Sequence, residues 1–270
     1  EESSSDHEVV DLIWFPTGGG KTEAYLGVAA FYMAYQRLLM NSHKGLDRDG
    51  TSVFMRYTLR MLTTQQFQRA ASLILALEHI RKQEVKGGNR ILGDTRFSLG
   101  LWIGGDGAPN RVKEAHSRVL KYFKENGDHG NPLVLTECPW CKSEIGFLKN
   151  DPRDSKKKLK LWSKVGRAGF SEDRNGKLVV LKCSDNECEF GGEFGTIPVE
   201  VIDERMYALP PSLFIGTADK FAMLAYRPEA GALFGRSSNL NGEVAQIKRP
   251  PGLILQDEMH LISGPLGTLY

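Results

Sequence analysis

Apolar and polar positions alternate in blocks along this chain. Val9–Phe15 (VVDLIWF) is a short apolar run that leads into a glycine-rich loop. The following TEAYLGVAAFYMAYQRLLM carries apolar residues at the three-to-four-residue spacing of a helix. The polar stretch NSHKGLDRDG closes it. TSVFMRYT, rich in β-branched and aromatic residues, predicts a second strand. LTTQQFQRAASLILALEHIRKQ predicts a long amphipathic helix, and FSLGLWIGG a third strand ending in glycines. Later, SLFIGTADKFAML and GLILQDEMHLI each place polar residues directly after an apolar strand. Alternating strands and helices imply a parallel sheet with crossover helices on its faces.

Between roughly 110 and 205 the texture changes. PLVLTECPWCKSEIGFL and KLVVLKCSDNECEFGGEF read as two short hairpins, each with a cysteine pair. They bracket a lysine-rich segment, so this part is expected to be a small insertion in the α/β domain.

Composition narrows the picture little. The 270 residues allow one large domain or two small ones, and 41% hydrophobic with 25% charged content is ordinary for a soluble globular protein. A net charge of +2 excludes a global field for nucleic acid or an anionic membrane, so a basic surface must be local. Lys149 to Arg167 holds eight basic residues against Asp151 and Asp154. That stretch fits a nucleic-acid contact and a solvated loop equally well. No apolar run reaches membrane-spanning length, and EESSSDHE at the start is not a secretory signal. A cytoplasmic, reducing setting without membrane contact is the expectation.

The candidate chemistry begins at WFPTGGGKTEAYL. A loop that wraps phosphates presents backbone N–H groups at close range, where side chains obstruct. Gly18, Gly19 and Gly20 give that clearance, after Thr17. Lys21 can reach the β- and γ-phosphates of ATP, and Thr22 can place its hydroxyl on Mg2+. The helix that follows points its N-terminus at the anion. Phe15 stands where the strict phosphate-loop pattern has glycine. In LILQDEMH an apolar strand runs straight into two carboxylates. Asp257 is placed to hold Mg2+, and Glu258 to orient and deprotonate the attacking water. Lys21, Asp257 and Glu258 are thus the expected catalytic set.

These residues carry a resemblance. PTGGGKT and DEMH resemble motifs I and II of superfamily 2 helicases of the DExH type, in which the first position of motif I is often alanine. TLRMLTTQ resembles motif Ia, with Arg60 and Gln65 at its arginine and glutamine spacing. IGTADKF resembles the short motif before motif II, with Thr217 matching its threonine and Lys220 in place of its usual arginine. The resemblance implies that Arg60, Gln65, Thr217 and Lys220 meet the phosphate backbone of a nucleic acid, DNA ahead of RNA. It implies that His260 couples nucleotide state to that surface. More narrowly, FPTGGGKTEAYLG and QDEMHLISGPLGTLY resemble the helicase-like subunit of DISARM-type anti-phage systems, which implies other defence-system subunits as partners.

Cys138 and Cys141 form C-P-W-C, and Cys183 and Cys188 form C-x4-C. Two knuckles offering two thiolates each suit a tetrahedral structural Zn2+, and metal binding contributes folding free energy that a small insertion lacks. A redox dithiol at C-P-W-C and a disulfide are the alternatives.

The expected architecture is an α/β, RecA-like P-loop NTPase lobe with a small zinc-ribbon-like β insertion. Residues 1–109 would form its first part, with motifs I and Ia. Residues 110–205 would form the zinc-binding insertion with its basic loop, and 206–270 the remainder with DEMH. No second lobe follows within the chain, so a fragment of a longer ATP-dependent helicase or translocase is expected, poorly active alone. An isolated nucleotide- and nucleic-acid-binding module without productive hydrolysis, and a protein-remodelling NTPase, are the other readings.

Overall fold

A computed structural model describes position 11 and residues 20–40, 49–57, 64–103, 107–125, 130–146, 169–238 and 244–257. Its centre is a five-stranded parallel sheet. In chain order the helices and strands are α1 (Lys21–Met40), β1 (Val53–Tyr57), α2 (Thr64–Lys86), β2 (Leu99–Trp102), α3 (Val112–Lys124), β3 (Phe170–Glu172), β4 (Leu178–Leu181) and β5 (Val199–Glu200). They continue as α4 (Asp203–Ala208), β6 (Leu213–Thr217), α5 (Ala218–Ala222), β7 (Arg236–Ser238), β8 (Val244–Gln246) and β9 (Leu253–Gln256). The sheet order is β5-β2-β6-β1-β9. The strand predicted at Val9–Phe15 lies outside the described residues.

Strand periodicity divides the core in two. Val53, Met55 and Tyr57 of β1, Leu99 and Leu101 of β2, and Leu213 and Ile215 of β6 enter one cluster. There they meet Leu26, Ala29 and Met33 of α1 and Phe67, Ala71 and Ile74 of α2. The intervening Phe54, Trp102 and Phe214 point the other way, towards Met206, Ala230 and Leu233. Successive side chains on a strand face opposite sides, so a continuous apolar strand fills both layers. The second layer is aromatic: the Phe54 ring lies 5.4 Å from Phe214, 5.5 Å from Phe221 and 5.2 Å from Phe234. Each large side chain so buried contributes about 2 kcal/mol before entropy is deducted. A five-stranded parallel sheet flanked by helices is consistent with a RecA-like lobe.

Polar side chains tie the helices to the sheet at its N-terminal edge. Arg37 of α1 is 2% exposed. Its guanidinium donates to the carbonyls of Leu92 at 3.1 Å and Arg96 at 3.2 Å, to that of Thr95, and to Ser212 Oγ at 3.3 Å. It also stacks 3.6 Å above the Phe97 ring. Burial draws its pKa down to about 10. Glu78 of α2 accepts from the Phe97 amide at 3.0 Å and from Arg81 at 2.7 and 2.8 Å. The turn before β2 is therefore held from both helices at once.

The middle of the chain departs from expectation in detail. Val199–Glu200 joins the main sheet beside β2, and α3 packs its buried Ala115, Val119, Tyr122 and Phe123 into the same core. β4 forms its antiparallel ladder with β3, upstream of it, and meets the segment after Cys188 through one bond, from the Ile197 amide to the Leu181 carbonyl at 2.9 Å. The first predicted hairpin reduces to one bridge, Glu137 with Glu144. No helix among the described residues is long and apolar enough to cross a membrane. Apolar residues also stand on the outer side of α1, where Phe31 is 70% exposed.

The Arg37 contacts lead to a stability prediction. Arg37→Ala strands several buried carbonyls and should cost about 3 kcal/mol in urea unfolding. Leu38→Ala, one position on and half exposed, should stay within about 0.5 kcal/mol. Equal losses would show that the guanidinium is not an anchor.

Candidate functional site

Parallel strands bring their C-terminal ends to one edge of the sheet. The register sets Tyr57 of β1 beside Thr217 of β6, and Arg56 beside Gln256 of β9. Ligands of open α/β sheets bind at that edge, outside the carboxyl ends of the strands.

Two chemical groups meet there from distant parts of the sequence. Gly20 adopts φ +76°, a left-handed conformation that other residues resist, and α1 starts immediately after it. The Ala24 amide donates to the Gly20 carbonyl at 3.0 Å, which closes the first turn. Lys21 is thus the first helical residue, and its Nζ lies 2.7 Å from Asp257 Oδ1. The Asp257 amide extends the β9 ladder by donating to the Arg56 carbonyl at 3.1 Å, and its side chain is only 3% exposed. Lys21 keeps 29% exposure, so it can swing towards solvent or ligand while Asp257 cannot. Thr22, next in α1, is half-buried at the same helix end.

Tyr57 is a site residue that sequence reasoning missed. It is 2% exposed at the end of β1. Its pKa is raised first by burial, then by the nearby Asp257 anion and Tyr25, against a smaller opposing effect of Lys21. It therefore stays a neutral phenol beside the Lys21–Asp257 pair. Its place at the end of an apolar strand, just before the motif Ia-like segment, was the available signal.

Other expected site residues fall differently. Thr17, Gly18, Gly19, Arg60, Glu258 and His260 lie outside the described residues, as does Lys149 to Arg167. Gln65 is the second residue of α2. Thr217 is buried at the end of β6. Lys220 is 15% exposed and donates to Asp203 Oδ2 at 2.8 Å and Asn110 Oδ1 at 3.2 Å. This joins α5 to α4 and to the turn two residues before α3, a pairing that no local pattern announces.

The four cysteines come together. Their sulfur atoms all lie within 4.8 Å of one another, with Cys141 Sγ 3.3 Å from Cys183 Sγ, and none is in a disulfide. Four thiolates at about 2.3 Å from a tetrahedral Zn2+ need comparable spacing. Each knuckle has its own turn. Lys142 donates to the Cys138 carbonyl at 3.0 Å, and the Asp185 amide donates to Cys183 Sγ at 3.4 Å. Gly191 permits the second turn, since a Cβ there would sit 1.8 Å from the Asp185 carbonyl oxygen. A hydrogen bond with Cys183 and the backbone amides of Cys141 and Trp140 draws the Cys138 thiol below its ordinary pKa. This set can hold one metal ion.

No protein-family model matches the chain. It is similar to the DISARM protein DrmA of Bacillus paralicheniformis, at 35% identity over 301 aligned positions covering 99% of this chain and 24% of that protein. The chain thus spans about a quarter of that relative's length, and the similarity runs along nearly all of this chain.

The exposure difference across the ion pair makes its two deletions unequal. Lys21→Ala leaves a buried carboxylate without its lysine and should lower stability by about 2 kcal/mol. Asp257→Asn, which lets the half-exposed ammonium turn to water, should cost about 1 kcal/mol or less. Adding Asp257→Asn to Lys21→Ala should recover stability in thermal unfolding. A double variant no better than Lys21→Ala would contradict the pairing.

Proposed function

We propose that this chain is the ATP-binding lobe of a helicase-type ATPase directed at nucleic acid, DNA ahead of RNA. Its setting is anti-phage defence, beside other defence-system subunits, as the relation to a DISARM protein suggests. The observation that carries the reading is the 2.7 Å contact between Lys21, at the first turn of α1, and Asp257, at the end of β9.

The residues fit a Mg2+-bound triphosphate. A left-handed Gly20 and a helix N-terminus present amides to an anion, with Thr17, Gly18 and Gly19 completing the loop. Lys21 and Asp257, which neutralise each other in the structure, are the cation and carboxylate that phosphate and metal would separately engage. Thr22 and Asp257 would hold Mg2+, which neutralises charge on the phosphates. Glu258 orients and deprotonates the attacking water. Arg60 and Gln65 meet the strand's phosphates, with Thr217 and Lys220 at the neighbouring strand end, and His260 links the two surfaces. Contacts of this kind hold a strand without reading its sequence. Cys138, Cys141, Cys183 and Cys188 bind one structural Zn2+.

One observation favours a second reading. Lys220 is engaged by Asp203 and Asn110, and Thr217 is buried, so two expected phosphate contacts are occupied by the protein itself. A protein-remodelling NTPase would need neither.

ATP hydrolysis by the whole protein, with and without single- and double-stranded DNA and RNA, separates the two. DNA should raise the rate, Lys21→Ala should abolish nucleotide binding, and Glu258→Gln should keep binding while losing at least about 100-fold in turnover. A rate indifferent to every nucleic acid selects remodelling. Nucleotide binding unchanged in Lys21→Ala removes the loop as the site.

A further inference from the structure

The thiol cluster is docked along one face of α2. Gln68 Nε2 donates to the Glu137 carbonyl at 3.3 Å, and Ser72 Oγ to the Pro139 carbonyl at 3.0 Å. The His79 ring lies 5.0 Å from that of Trp140, and His79 Nδ1 contacts the Glu189 carboxylate. Lys82 Nζ lies 3.5 Å from Glu189 and 4.4 Å above the Phe190 ring. Trp140 and Phe190, from opposite knuckles, pack edge to face at 5.6 Å. Positions 68, 72, 79 and 82 form one helical stripe, about 21 Å long at 1.5 Å per residue.

The helix grips the chain immediately beside its cysteines. Glu137 and Pro139 flank Cys138, Trp140 precedes Cys141, and Glu189 follows Cys188. The knuckles' own bonds are short-range: the Cys138 amide donates to the Ser143 carbonyl at 2.8 Å, and the Cys183 amide to the Phe190 carbonyl at 3.0 Å. The first knuckle has a single β-bridge and the second rests on a two-stranded ladder. Cys138 and Cys183 are themselves fully buried in the main core, so the knuckles are part of the lobe's packing. A metal that locks four thiolates would lock both knuckles into one body, and with it every one of those contacts. α2 opens with Thr64 and Gln65, the last two residues of the motif Ia-like TLRMLTTQ.

We propose that metal at the four-cysteine site is a buttress for α2: it holds the helix in place, and engagement of a nucleic-acid strand depends on that hold. This rests on the reading of the cluster as a zinc site and on the proposed action on nucleic acid. It assigns the metal a role in strand engagement, not in ATP hydrolysis. Ser72, His79 and Trp140 then act as positioning residues.

Hydrogen exchange on the whole protein, alongside its zinc content, tests this. The protein as purified should hold about one zinc per chain at this cluster. Removing it with a zinc-selective chelator should speed exchange of amides in 68–79 about tenfold while β1 and β6 stay protected. Trp140→Ala guards against unfolding on chelation: it should retain zinc and basal ATPase, yet speed the same amides and raise several-fold the DNA concentration for half-maximal stimulation. Zinc present but exchange in α2 unchanged by both treatments overturns the buttress and leaves the zinc site standing. A protein with no zinc overturns both. Faster exchange in a protein that ignores nucleic acid keeps the mechanical hold on α2 but overturns its role in strand engagement, together with the helicase reading.

Discussion

A carboxylate that is 3% exposed at the end of a central-sheet strand needs a cation, and here the cation comes from a helix more than two hundred residues earlier. The Lys21–Asp257 pair therefore dictates more than a local contact. It requires α1 to begin at the C-terminal edge of the sheet, with its dipole facing the strand ends. It requires β9 to sit where Asp257 meets that helix. Sheet order, helix start and strand register all converge on one polar point in an apolar lobe. A buried ion pair is a weak source of stability, because desolvation offsets most of the attraction. Its value lies in what it prepares: a positive and a negative group already placed at a helix N-terminus, each able to take a new partner of opposite charge.

The rest of the lobe keeps that point rigid. Layering by strand alternation makes β1 and β6 buried on both faces, so neither can shift without unpacking two clusters. Arg37 and Glu78 hold the opposite edge, tying α1 and α2 to the turn before β2. α1 is thus fixed near its C-terminal end by a buried guanidinium and at its N-terminal end by Lys21. α2 is fixed on its inner face by the core and along another face by the cysteine knuckles. Each of the two helices that frame the site is held in more than one place.

Much of this was legible in the chain, for physical reasons that differ by element. α1, α2, β1, β2, β6 and β9 lie where the periodicity put them, since apolar spacing reports burial directly. The four cysteines converge as two pairs must if they share one ion. What was not legible depends on partners far away in sequence. β4 ladders with β3, a three-residue strand too short to show a period, because strand pairing is settled by packing. α3 falls within the expected insertion, yet its buried stripe Ala115, Val119, Tyr122 and Phe123 has helical spacing and packs into the main core. β5 is two residues long, too short for any periodicity. Lys220 is expected to meet a nucleic-acid phosphate, and only the fold brings Asp203 and Asn110 to it. Tyr57 looked like ordinary strand filling until β9 delivered Asp257 beside it.

The account stands or falls on whether Lys21 and Asp257 take separate partners from one Mg2+-bound triphosphate. Calorimetric binding of a non-hydrolysable ATP analogue to this chain, with and without Mg2+, measures that directly in the native sequence, Lys21→Ala and Asp257→Asn. The account predicts that Mg2+ tightens native binding by about tenfold or more, that Asp257→Asn erases this advantage, and that Lys21→Ala weakens binding in both conditions. Affinities that are the same in all three proteins, or a Mg2+ advantage that survives Asp257→Asn, would contradict it.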